Sequence, residues 1–395
     1  MAGPKDSPGT CGSERERDDH WNDVLSAKRV VVKVGTSSLV RGDGKFDLEV
    51  MKRLAHDLEW LKARGNQVAL VSSGAVVAGL EALGLEERPR DVVTQQVLAA
   101  VGNPLLVAAY ARFFTAHPIA QVLLTQENLS NRRSFNHFRD AIERMLGMDI
   151  VPVINENDVV SIDELTHPEG VEFNFSDNDV LAALVTASIH ADLLLLLSDT
   201  DGLYTKHPNS PYAEFVPLVR KITPRVKAMG RSGSGKVGRG GMASKIYAAE
   251  IAGRAGAHAL IVNAKTTRVR EIFSEGAGVG TLFLPGAKLP DKKLWILYAS
   301  SPKGRLFVDE GARRALVDGG ASLLVRGITG VKGKFAAGDV VTLCGPDGAP
   351  FANGIANYSA AEVRRVLAMP REVQVEFIKM AELREVIGRD SMTFF

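Results

Sequence analysis

Arg29-Val30-Val31-Val32-Lys33-Val34-Gly35-Thr36-Ser37 is an apolar run that ends in a lysine, a glycine and two small hydroxyl residues. A valine-rich run of this length reads as a strand covered on both faces, as in parallel sheets flanked by helices. Open α/β sheets place ligands at the carboxyl ends of their strands, where Lys33 and Gly35 fall. Outward from it, Leu48, Met51, Leu54, Ala55, Leu58 and Leu61 recur at helical spacing, and Gly65-Asn66 ends that helix. Further strands are expected at Gln67 to Ser72, Ile119 to Leu124, Ile150 to Ile154, Leu193 to Ser198 and His258 to Asn263, with helix-period segments between most of them. The pattern predicts an α/β fold, an open, mostly parallel sheet with helices on both faces.

Turn residues cluster at Pro285-Gly286 and Pro290-Asp291, and the texture then changes to short segments split by Gly330, Gly333, Gly338, Gly345, Gly348 and Gly354. A small β-rich barrel is expected there, ending in a helix-like stretch from Ala360 to Ala368. The expected division is a disordered tail over 1–28, the α/β domain over 29–286, the β-rich domain over 291–371 and a C-terminal extension over 372–395.

The 395 residues suit two domains. Lys and Arg total 48 against 46 Asp and Glu, so no general pull toward nucleic acid or membrane is implied. Cys11 and Cys344 form no disulfide framework, which suits a reducing compartment and a cytoplasmic location. The apolar run Leu193 to Leu197 falls far short of the roughly 20 residues of a membrane span. Glu14 to Asp19 mixes both charges, unlike a secretory or transit signal.

Five segments carry candidate chemistry. Lys33 to Ser37 suits a phosphate. In Val71-Ser72-Ser73-Gly74-Ala75 a strand runs into small polar residues and a helix start, which would hold an anion, although a helix N-cap is the commoner meaning of a serine such as Ser73 taken alone. Asn155-Glu156-Asn157-Asp158 follows a buried strand and would grip an ammonium and a carboxylate together, with turn chemistry as the alternative. Ser176-Asp177-Asn178-Asp179 precedes an apolar helix beginning near Val180; one cap needs one side chain, and the surplus polarity points to a site. Gly238-Arg239-Gly240-Gly241-Met242-Ala243-Ser244-Lys245 joins a Gly-rich loop, a helix N-terminus and a cation, a cradle for nucleotide phosphates. Gly230 to Lys236 imitates a P-loop, but Val237 stands where the magnesium-binding hydroxyl belongs. The eight histidines have no paired metal-ligand spacing, and no protein-kinase catalytic loop occurs.

Taken in order, and with Leu197-Ser198-Asp199-Thr200-Asp201-Gly202-Leu203-Tyr204 added, these segments closely resemble the glutamate 5-kinases of the amino-acid kinase family from Arg29 to about Pro285. Gly304 to Glu362 resembles a PUA domain. Ser72 departs from the commoner Thr, and Arg239 from a small hydroxyl residue. The resemblance implies ATP- and Mg2+-dependent phosphorylation of the γ-carboxylate of L-glutamate, the first step of proline biosynthesis, with proline as feedback inhibitor and a homo-oligomer, dimer or tetramer, as the assembly. It implies that Lys33 and Lys245 contact the transferring phosphoryl group and that Asp179 orients them. Ser73, Asp158 and Asn178 match glutamate-binding positions, with Asn155 beside them. Ser198, Asp199 and the loop Arg239, Gly240, Gly241, Met242, Ala243, Ser244 and Lys245 match ATP-binding ones, with magnesium held mainly by the ATP phosphates. Alternatives are an aspartate or acetylglutamate kinase, or RNA binding through the PUA-like segment, whose basic residues have few aromatic neighbours for base stacking.

Overall fold

The computed structural model of the protein describes residues 10–161, 177–231, 241–274, 278–370, 373 and 385–395. The chain divides into two compact units, Met1–Leu289 and Pro290–Phe395. The first holds strands β1 (Cys11–Gly12), β2 (Arg29–Val34), β3 (Gln67–Ser72), β4 (Ile119–Leu124), β5 (Val151–Glu156), β6 (Leu193–Ser198), β7 (Leu203–Tyr204), β8 (Phe215–Val216), β9 (Leu218–Val219), β10 (His258–Asn263) and β11 (Thr281–Phe283). The second holds β12 (Gly304–Val308), β13 (Ile328–Gly333), β14 (Val340–Cys344), β15 (Pro350–Ile355) and β16 (Met392–Phe394).

Nine strands of the first unit form one sheet in the order β1-β9-β11-β10-β6-β2-β3-β5-β4. The six from β10 to β4 pair in parallel, as the apolar runs predicted. From β2 the chain goes to β3 on one side and later returns to β6 on the other, which makes the carboxyl end of β2 a switch point and so a natural crevice. Lys33 lies there, level with Val71 of β3 and Leu196 of β6.

Strand side chains alternate between faces. Val30, Val32 and Val34 pack with Leu54, Leu58 and Leu106 in the main core. Lys33, out of phase with them, meets the other face, where the helix Asn178–Ser188 lies, buried at every residue but Ala187. The helix Leu48–Ala63 starts at the Asp47 cap, and Gly65 follows its end at φ 91°.

The helix Val92–Phe113 is long and apolar enough to cross a membrane by length and composition. In the fold its buried residues include Gln95, Asn103 and Tyr110, and it packs on the helix Ala75–Ala82 with almost no space between. A Cβ on Gly102 would lie 1.8 Å from the carbonyl oxygen of Ala75. Only glycine permits that approach.

The expectation of a disordered tail over 1–28 is corrected from Cys11 onward. Ser13 and Glu16 form a capping box on the helix Glu14–Asp19, and β1 pairs with β9. Trp21 and Val24, on the helix Trp21–Leu25, are 2% and 0% exposed in the main core. Mixed charge conceals this, because Glu16 and Arg17 are themselves used: Glu16 pairs with Arg220, and Arg17 donates to the Gly280 carbonyl.

In the second unit the sheet order is β13-β12-β14-β15-β16. Residues 385–395 are more than an extension, since β16 pairs with β15 and Val386, Ile387 and Met392 join Leu306, Val341 and Val363 in the core of this unit. Phe394, exposed at the edge of that sheet, stacks on Phe351.

Candidate active site

The site collects at the carboxyl ends of β2, β3, β5 and β6 and at two helix N-termini. Asp179 sits in the first turn of the helix Asn178–Ser188, whose Asp177 cap accepts its backbone N–H at 2.9 Å. Its Oδ1 is 2.6 Å from Lys33 Nζ and its Oδ2 is 3.1 Å from Lys245 Nζ. Ser244 Oγ donates to the same Oδ2 at 2.7 Å. Ser244 and Lys245 belong to the first turn of the helix Met242–Ala255, with Gly241 as its N-cap. Burying ions is costly unless they are paired and hydrogen-bonded, and here one carboxylate serves two ammonium groups.

Burial pushes the Asp179 carboxyl up, but Lys245 and then Lys33 outweigh it and hold the group down to about 2. Asp177 moves the opposite way, raised first by burial and then by the negative charge of Asp179. The result is a fixed charged cluster at the switch point, with two cations presented beside helix N-termini that themselves favour anions.

A second, uncharged cluster adjoins it. Ser73 is not the helix cap: Gly74 takes that position at φ 114° without any side-chain cap bond, and Ser73 Oγ accepts from Asn178 Nδ2 at 2.8 Å. Asn178 Nδ2 also donates to Asn155 Oδ1 at 3.0 Å, so residues from three segments form one network. Asn155 and Glu156 are the last residues of β5, which runs two residues past its expected end at Ile154. Asp158, one residue further on after Asn157, is 2% exposed. The network has a member missing from the sequence reading, Asn103, whose Oδ1 accepts from Asn155 Nδ2 at 3.1 Å. A polar residue between glycine and proline in a mostly apolar helix was the available signal.

On the other side of β2, Ser198 closes β6 and donates to Asp199 Oδ1 at 3.3 Å, with Asp199 exposed. Asn263, ending β10, donates to Asp201 at 2.9 Å, so polar side chains continue along this edge of the sheet. Gly241, Met242 and Ala243 lead into the Lys245 turn. Ser176, Arg239 and Gly240, and most of the P-loop-like segment, lie outside the described residues.

An open parallel α/β sheet with paired lysines at its switch point is the arrangement of an anion-handling small-molecule site. Residues 28–263 match the amino acid kinase family, and residues 304–378 match the PUA domain. The chain is 44% identical over 375 residues to glutamate 5-kinase of Myxococcus xanthus, covering 93% of this chain and 97% of that protein. It is 42% identical over 369 residues to glutamate 5-kinase of Trichlorobacter lovleyi, with coverages of 92% and 94%. With glutamate 5-kinase of Frankia casuarinae it shares 42% over 373 residues, with coverages of 93% and 97%. The chain belongs to the amino acid kinase family and carries a PUA domain after its kinase domain.

Proposed function

We propose that the protein transfers the γ-phosphoryl group of ATP to the γ-carboxylate of L-glutamate, forming glutamyl 5-phosphate and ADP, the first step of proline biosynthesis. The observation that carries this reading is the buried grip of Asp179 on both Lys33 and Lys245. In the reaction a carboxylate oxygen bonds to the γ-phosphorus while the bond to the β–γ bridging oxygen breaks. The acceptor is already ionised at neutral pH, so no proton has to be removed, and the task is positioning and charge neutralisation. Two buried lysines held by one carboxylate suit that task. Lys33 and Lys245 would approach the transferring group from two sides, and Asp179 would keep both ammonium groups aimed.

ATP fits this site: the phosphates would meet Lys33, Lys245 and the N–H groups from Gly241 to Ser244, with Ser198 and Asp199 toward the rest of the nucleotide and Arg239 and Gly240 in the same loop. Magnesium would arrive on the phosphates and neutralise charge between them. The amino acid would lie against Ser73, Asn155, Asn178 and Asp158, whose carboxylate suits an ammonium. Proline offers the same ammonium and α-carboxylate without a phosphoryl acceptor, so it would occupy this subsite unproductively.

The test compares magnesium-dependent ADP release with glutamate, aspartate, acetylglutamate and UMP, trapping the acyl phosphate with hydroxylamine. Glutamate should give the fastest release and a hydroxamate. Faster turnover of another acceptor at equal concentration would reassign the substrate.

A further inference from the structure

Asn103 is 3% exposed on the helix Val92–Phe113 and belongs to a directional chain of side-chain amides. Its Oδ1 takes the Asn155 Nδ2 donor at 3.1 Å, and Asn155 Oδ1 takes the Asn178 Nδ2 donor at 3.0 Å. Asn178 Nδ2 donates also to Ser73 Oγ at 2.8 Å. A primary amide has one donor end and one acceptor end, so each of these bonds fixes the orientation of the next amide. At the end of the chain Asn178 Oδ1 is a buried acceptor with no hydrogen-bond partner among the described residues. Buried polar atoms of this kind are uncommon and ask for a ligand with the complementary group.

The helix that carries Asn103 is held at the site twice more. Gly102, the preceding residue, lets it touch the Ala75 carbonyl, and Tyr110 OH lies 3.0 Å from Ser72 Oγ at the end of β3. Asn103 therefore meets Asn155 from a rigid support.

We propose that Asn103 is a positioning residue for the amino-acid substrate: by accepting from Asn155 it locks the Asn155 and Asn178 amides so that Asn178 presents its oxygen, an acceptor for the substrate ammonium. This rests on the assignment of the Ser73, Asn155 and Asn178 cluster as the amino-acid subsite. Without the Asn103 oxygen the Asn155 amide loses its reason to keep one orientation, and turning it over would set its Nδ2 donor against the Nδ2 donor of Asn178.

The experiment measures KM for glutamate, KM for ATP, kcat and Tm in the full chain for Asn103→Leu, Asn103→Ala and Asn103→Asp. Leu fills the space without an acceptor, Ala removes the group, and Asp keeps an acceptor in the same place. Loss of the acceptor should raise the glutamate KM by about tenfold, the worth of one hydrogen bond of about 1.4 kcal/mol, with ATP KM within about twofold. Asn103→Asp should stay within about threefold of the parent, whereas a purely structural role would make it the worst of the three, since it introduces a buried carboxyl. In an Asn178→Ala background Asn103→Leu should add little, because the two act through one chain. Unchanged glutamate KM in Asn103→Leu or Asn103→Ala, or a full tenfold effect retained without the Asn178 amide, would overturn the relay alone. A parent protein that releases no ADP with glutamate would overturn the substrate assignment and the relay with it.

Discussion

Lys33 Nζ and Asp179 Oδ1 lie 2.6 Å apart, with side chains 4% and 0% exposed, and the other oxygen of Asp179 holds Lys245. One carboxylate thus fixes the spacing of two cations that come from a strand end and from a helix start.

The depressed Asp179 carboxyl makes stability depend on acid. A carboxyl whose folded pKa lies below its unfolded value stabilises the fold above the unfolded value and loses that contribution as pH falls through the folded one. Here the loss spans the range from 3.8 down to about 2. A shift of that size corresponds to roughly 2 kcal/mol. Urea melts of the parent and Asp179→Asn should therefore converge between pH 5 and pH 2. A constant stability difference across that range would contradict the coupling.

Lys245→Ala should lower kcat by about 100-fold or more, the usual consequence of losing a group that meets charge developing in the transition state. Asp158→Ala should act mainly on the KM for glutamate. Steady-state kinetics with each substrate varied separates the two. Equal changes in both KM values for Asp158→Ala, with kcat intact, would remove Asp158 from the amino-acid subsite.

Trp21→Ala should cost about 3–5 kcal/mol in chemical denaturation, the range for emptying a large aromatic site in a core. Trp21 is 2% exposed, although it stands in a segment of highly charged sequence. A change of less than about 0.5 kcal/mol, as at an ordinary surface position, would mean that the segment contributes nothing to the fold.

Gly102→Ala tests the helix contact behind the substrate cluster. Alanine favours a helix by about 1 kcal/mol over glycine, but its Cβ would meet the Ala75 carbonyl at 1.8 Å, and backbone has to move to admit it. The clash should win. Tm should fall and the KM for glutamate should rise, because Ala75 is two residues from Ser73. A higher Tm would show that the two helices are not held at this distance.

Proline should inhibit in competition with glutamate, and Asp158→Asn should weaken the inhibition. The measurement is a glutamate titration at several proline concentrations. Inhibition that is indifferent to glutamate and persists in Asp158→Asn would place proline elsewhere.

The strands, the parallel order of the central sheet and the polar segments at its carboxyl edge were legible in the sequence, because each is a local pattern. An apolar run buried on both faces needs no polar alternation, and Lys33, Asp179 and Lys245 each stand beside a strand end or a helix start. The resemblance in motif order then supplied roles that no single segment carried.

What the tertiary structure alone decided is which side chains meet. By itself Ser73 reads more readily as a helix cap, but in the fold Asn178, 105 residues away, donates to it. Asn103 lies 52 residues from the Asn155 amide it accepts from, on a helix whose composition announces only packing. The N-terminal segment looked unable to bury anything, yet Trp21 and Val24 complete a core assembled from distant strands, and β16 adds the edge strand to a sheet begun at Gly304. Local propensity acts over a turn or a strand, whereas burial and hydrogen-bond satisfaction are settled between segments that only the folded chain brings together.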